Sequence, residues 1–225
     1  MIRLAPQAQD GSALVILRAG PAAPIIIGSP HPLFDGTLQS GTTLFDALSA
    51  QAYVLSQTHR CANGTLSGCD GTTSVCGERG PYPESDMAHT AVSLFQAAHE
   101  ALAPLYDQHI FINVHGQRRE GVSLSNGTRN DIDPEAPVAR LAAALADQLP
   151  AERITTCNRY EGDNFEAHLC GTTNTQGRLL NDSPDVCTEA AQSATDRFIH
   201  MEQSRDVRAR PQDVAAAIAQ ALVSD

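Results

Sequence analysis

Four runs in this chain are apolar at nearly every position and short: ALVILRA (13–19), PIIIGSP (24–30), HIFINVHG (109–116) and RFIHM (197–201). Each reads as a β-strand. A strand that is apolar along its whole length has no side to give to water, so its sheet must be covered on both faces. The covers are present in the sequence. Segments 41–50, 85–104, 133–150 and 210–225 have helical character, and 51–58 and 153–156 add two further strands. Strands therefore alternate with helices. The expectation is an α/β fold with a mixed, mostly parallel sheet and helices on both faces. A length of 225 residues suits one domain spanning 1–225 and is short for two.

Helix ends can be placed from cap residues. Ser85 caps the 85–104 helix with Asp86 in its first turn, and Val92, Phe95 and Leu102 fall near one face. Asp133 caps the next helix with Pro134 at its first position, and Pro211 stands near the start of the last. Two long stretches, 59–84 and 157–187, are rich in Gly, Thr and Cys and have no periodicity. Long ordered loops in a compact domain are often functional.

Those loops contain all six cysteines: Cys61, Cys69 and Cys76 in one, Cys157, Cys170 and Cys187 in the other. The spacings lack the close pairs of a zinc ribbon. Disulfides are expected, three in number with no free thiol, one pair within each loop and the remaining two cysteines joined between them. That chemistry favours an oxidising compartment, periplasmic or extracellular. The first twenty residues lack the pattern of a signal peptide, so the export signal is expected to lie outside this sequence.

Charge narrows the partners. The net charge is −11 and all fifteen basic residues are Arg. Such a surface repels nucleic acid and anionic membranes, so neither is an expected partner. No run of about 18 apolar residues is present to span a membrane.

The chemistry-bearing residues sit at strand ends. His31 follows the strand PIII, His115 ends FINVHG, and Glu202 follows FIHM directly. Ligands of open α/β sheets bind beyond the carboxyl ends of strands, so these three can converge. With Asp35, four residues after His31, they make a two-histidine, one-carboxylate zinc set and a further glutamate as general base. Taken singly, each residue has a plainer reading. Asp35 in FDG can make a turn, Glu202 can pair with Arg205 or Arg208, and a lone His after a strand is commonly structural. His89, His99, His109 and His200 read as structural, whereas His168, in the second loop, is placed to touch a substrate.

In order along the chain, SPHP, RCAN, FINVHG, SLSNGTR, NRYEGDNFEAHLCG and FIHMEQSR resemble the N-formylglutamate amidohydrolase family, which has a zinc carboxypeptidase-like, phosphorylase/hydrolase-like fold. The resemblance extends from Ser29 to Arg205. It implies zinc held by His31, His115 and Asp35, with Glu202 as general base. It also implies that Arg60, Asn63 and Arg129 hold a substrate carboxylate or the oxyanion. The activity implied is hydrolysis of an amide in an N-acyl amino acid or peptide-like substrate with a free carboxylate. The sequence departs from that pattern in three places: His-x3-Asp stands for His-x-x-Glu, Asn113 stands where an Asp precedes the second histidine, and 61–76 is an insertion. Alternative readings are a binding module that keeps the fold without catalysis, and a metal-dependent hydrolase of another bond such as a phosphoester.

Overall fold

A computed structural model describes residues 2–3 and 12–223. Eight strands form one sheet: β1 Ile2–Arg3, β2 Ala13–Leu17, β3 Ala23–Ser29, β4 Ala50–Ser56, β5 Ile110–Gly116, β6 Val122–Ser125, β7 Ile154–Thr156 and β8 Phe198–Gln203. Their order is β1-β2-β4-β3-β5-β8-β6-β7. The central strands β4, β3, β5 and β8 are parallel to one another, β2 and β6 flank them antiparallel, and β7 runs parallel to β6. The helices are α1 Pro32–Asp35, α2 Leu38–Ala47, α3 Leu94–Leu105, α4 Pro137–Gln148, α5 Thr175–Leu180, α6 Arg205–Arg208 and α7 Pro211–Leu222.

Alternation along the central strands divides the core in two. Ile25, Ile27, Ile112, Val114, Ile199 and Met201 point to one face, under α2, α4 and α7. Ile26, Phe111 and Phe198 point to the other, where Phe95 and Leu102 of α3 and Leu180 of α5 cover them. On this second face the strands change character toward their carboxyl ends. Beyond Phe111 come Asn113 and His115; beyond Phe198 come His200 and Glu202. Over Asn113 lies α5, whose Gln176 accepts from Asn113 Nδ2 at 3.4 Å; beyond it the two long loops border His115, His200 and Glu202. The Asn113 side chain has room beside β3 because residue 28 is Gly; a Cβ there would stand 1.9 Å from Asn113 Oδ1.

Several helix starts differ from the sequence expectation. The third helix begins at Leu94, capped by Ser93, whose oxygen accepts from Gln96 N at 3.0 Å. Ser85 is engaged instead by the first loop, donating to Arg60 O at 2.7 Å, and Val92 is 82% exposed. Residues 85–93 lie outside the helix, and Asp86 meets His31, Arg60 and His89 instead. The fourth helix starts at Pro137; Asp133 makes a turn by accepting from Glu135 N at 2.8 Å. β6 and α5 arise in segments without clear periodicity. The expected closing helix runs from Pro211, and residues 224–225 at its end lie outside the described residues.

All three expected disulfides are present: Cys61–Cys76, Cys157–Cys170 and, between the loops, Cys69–Cys187. No cysteine is free. Disulfides of this kind are compatible with an oxidising compartment. No helix among the described residues is long and apolar enough to cross a membrane.

One core histidine yields a stability prediction. His99 on α3 is fully buried, and its Nδ1–H donates to Phe95 O at 2.8 Å. Burial pushes its pKa down to about 4 from an ordinary 6.5. The unfolded chain therefore binds this proton more readily than the folded one. The stability held above pH 6.5 should be lost as pH falls toward 4, by about 3 kcal/mol. Urea unfolding at a series of pH values should show that extra slope in the native protein and not in His99→Gln.

Candidate active site

After β3, Pro30 and Pro32 bracket His31 and set a tight exit. α1 is a single turn in which Asp35 N donates to His31 O at 2.8 Å. That turn brings the Asp35 carboxylate back over the imidazole, 3.5 Å from Oδ2 to His31 Nδ1. From β5, His115 offers Nδ1 to the same oxygen at 3.4 Å. Three ligand-type side chains thus surround one point, and all three are buried. Turn formation and metal-type geometry are here the same fact: Asp35 does both.

Asp86 holds the arrangement from behind, a role for which its own stretch of sequence gave no signal. It is fully buried, and Oδ1 stands 2.6 Å from His31 Nε2. The same carboxylate accepts from Arg60 Nε at 3.2 Å and from the Arg60 Nη2 group, and it contacts His89 Nδ1 at 3.0 Å. Burial opposes its charge, but the neighbouring histidines His89 and His31 outweigh burial and hold its pKa well below the carboxylate range. An ionised Asp86 only accepts, so His31 donates its Nε2–H to Asp86 and turns Nδ1 toward Asp35. A carboxylate behind a histidine in this way orients metal ligands.

Burial likewise opposes ionisation of Asp35, and the contacts with His115 and His31 reverse it, holding Asp35 well below its usual range. Burial depresses His115 to about 4, which keeps the ring neutral near pH 7. Burial and Arg60 disfavour a proton on His31, but Asp86 and Asp35 prevail and raise its pKa.

Glu202 is the direct register partner of His115 across the β5–β8 pair. It makes no ion pair with Arg205 or Arg208; among the described residues its one such neighbour is His200, with Nε2 3.7 Å from Oε1. Burial first, and the charge of Asp35 second, push Glu202 up to about 8. His200 was expected to be structural. Period-two alternation from Glu202 puts it on the polar face instead, its ring 4.5 Å from that of His115. His89 also faces the site, stacked on Tyr82 at 3.7 Å. Of the four histidines read as structural, His99 is a core residue, whereas His89 and His200 border the site.

Five buried atoms at this spot have no hydrogen-bond partner: His31 Nδ1, Asp35 Oδ2, His115 Nε2, His200 Nδ1 and Glu202 Oε2. Each such orphan costs about 1–3 kcal/mol, so a cluster of them calls for a ligand. Two nitrogen donors and a carboxylate oxygen match the donor set of a catalytic zinc.

Two cavities flank the cluster, of about 310 and 510 Å³. Arg60, Val75, His115, Leu169 and Glu202 border both. Arg129 stands in the smaller and His168 in the larger. Asn63 does not border either; its side chain donates to Glu84 at 3.2 Å, and its backbone N–H donates to Ser85 Oγ at 3.1 Å. Asn63 thus fastens the loop that carries Arg60. Gly171, at φ +66°, lets the second loop pass over His200, whose Cγ would stand 2.8 Å from a Cβ there.

The mixed sheet with helices on both faces is a single-domain α/β fold. Among solved structures it is similar to the N-formylglutamate amidohydrolase from Ralstonia eutropha JMP134, with a TM-score of 0.51 and 11% identity over 92% of this chain and 95% of that one. A bacteriophage poly-gamma-glutamate hydrolase is similar at a TM-score of 0.46 and 14% identity, over 96% and 90% of the two chains. A metallo-carboxypeptidase from Pseudomonas aeruginosa is similar at 0.43 and 15%, over 94% of this chain and 60% of that one. No protein-family model matches the chain, and no curated protein matches it by sequence.

Proposed function

We propose that the protein is a zinc-dependent amidohydrolase acting in an oxidising compartment, periplasmic or extracellular. Its substrate is an N-acyl amino acid or peptide-like molecule with a free carboxylate. The observation that carries this reading is the set of orphaned buried atoms on His31, Asp35 and Glu202, beside a His31 fixed from behind by Asp86. His31, Asp35 and His115 hold the metal. When bound, a divalent zinc polarises an amide carbonyl and acidifies a water.

The chain's own residues do the rest. Glu202 takes a proton from the attacking water and gives it to the leaving amine nitrogen. Burial, and after it the charge of Asp35, push Glu202 up to about 8; positive charge at that point lowers it and readies Glu202 as a base. Arg60, its guanidinium fixed by Asp86, offers its remaining N–H groups to the oxygen on which negative charge develops. Arg129 and His168, in separate cavities, hold the parts of the substrate on either side.

Elemental analysis of untreated protein should find about one zinc per chain. His31→Ala and His115→Ala should each lose it, and amide hydrolysis with it. Full zinc retention in His31→Ala, or zinc-loaded native protein that cleaves no amide in a panel of N-acyl amino acids, overturns the assignment.

A further inference from the structure

The protein is acidic overall, yet among the arginines that border the two cavities the unpaired ones fall at two separate places. Arg129 borders the smaller cavity and Arg118 the larger, and both are exposed. Among the described residues neither makes an ion pair. Their neighbours differ in this respect. Arg119, also in the larger cavity, is bound to Glu166 at 2.5 Å, and Arg60 is bound to Asp86. Two guanidinium groups are thus left free, one on each side of the reacting residues.

The division between the cavities is built. Val75, from the loop closed by Cys61–Cys76, and Leu169, beside the Cys157–Cys170 bridge, border both spaces together with His115 and Glu202. A substrate whose amide reaches Glu202 therefore has room on both sides of that bond. The smaller space is bordered by Thr72, Thr73 and Thr173 beside Tyr82; the larger has the ring of Phe34, which is 42% exposed. A guanidinium matches a carboxylate in shape and charge.

We propose that the substrate carries an anionic group on each side of the scissile amide, one facing Arg129 in the smaller cavity and the other facing Arg118 in the larger. The class is an acidic acyl group joined to an acidic amino acid, or an internal amide of an acidic oligomer. A simple acyl group such as formyl leaves one cavity and one arginine without a role. This specificity rests on the amidohydrolase reading above, and its test separates the two.

Four matched amides serve as probes: N-glutarylnorvaline, N-pentanoylnorvaline, N-glutarylnorvaline amide and N-pentanoylnorvaline amide. Their binding is measured by calorimetry on zinc-loaded Glu202→Gln protein, and their hydrolysis on the native protein. The doubly acidic compound should bind about tenfold tighter than either singly acidic one. Arg129→Gln should abolish the preference for an acid on one side, and Arg118→Gln the preference on the other. Both preferences should shrink as salt is raised. Equal affinity for all four compounds, or equal loss for all four in each variant, overturns the proposal. Preferential binding of the doubly acidic amide with no cleavage of any of them overturns the amidohydrolase reading and leaves the two-anion recognition standing.

Discussion

Glu202→Gln should lower amide hydrolysis by about 10²–10⁴-fold while zinc stays bound. Gln keeps the size of Glu and can still hydrogen-bond, but it cannot take the proton of the attacking water. The structure removes the main competing explanation for such a loss. Glu202 makes no ion pair with an arginine, so the substitution leaves no buried guanidinium stranded. A neutral side chain at this position also relieves the burial that pushes the carboxyl up to about 8. Thermal melting of the variant should therefore match or exceed that of the native protein. Hydrolysis at the native rate by Glu202→Gln would exclude Glu202 as the base.

Removal of the Cys69–Cys187 bridge should give the largest loss of stability, about 4–5 kcal/mol. The two cysteines are 118 residues apart in sequence, and cross-links that close long loops restrict the unfolded chain most. Chemical denaturation of the Cys69→Ser/Cys187→Ser protein against the native one measures this. Loss of the Cys61–Cys76 bridge, spanning 15 residues, should cost about 3 kcal/mol by the same reasoning. Equal losses for the two would show that strain or residual structure dominates over chain entropy. The bridge also fixes the cavity wall. Arg178, 2% exposed, donates from Nη1 to Asp70 at 2.6 Å and to Cys187 O at 2.8 Å, so both loops are held to α5 near this disulfide. Activity should therefore fall in the same variant even under conditions where it remains folded.

The layout of the sheet was readable in the sequence because its strands are apolar on both faces, a pattern that local composition alone establishes. The residues at strand ends were readable for a related reason. His31, His115 and Glu202 interrupt those apolar runs, and a polar residue at the end of a buried strand has few places to point. Asp35 could be suggested by its spacing from His31 but needed the α1 turn to show that its oxygen reaches both rings. Asp86 was hidden, since a Ser-Asp pair before a helical stretch looks like an ordinary helix start. Its part in the site depends on residues 26 and 55 positions away, and no local pattern carries such information. His200 was legible in principle: period-two alternation from Glu202 places it on the same face. β6 and α5 were missed because contacts with β8, α3 and the second loop, rather than local preference, decide their conformation.

The segment from Cys61 to Cys76 carries Thr72, Thr73, Ser74 and Val75 to the cavities, and its two ends stand 5.4 Å apart at their Cα atoms. A segment whose ends already meet, and are locked together, is a cassette. Beyond Asp70, which with Cys69 is anchored to the second loop and α5, its length can be altered without moving the sheet, since doubling a flexible loop adds only about 0.6 kcal/mol of closure cost. The reacting residues lie on strands and on the turn after β3, outside that cassette, apart from Arg60 at its margin. Grafting different residues between Cys61 and Cys76, with Cys69 and Asp70 kept in place, is thus a direct way to retune which molecules enter, with the machinery that acts on them left in place.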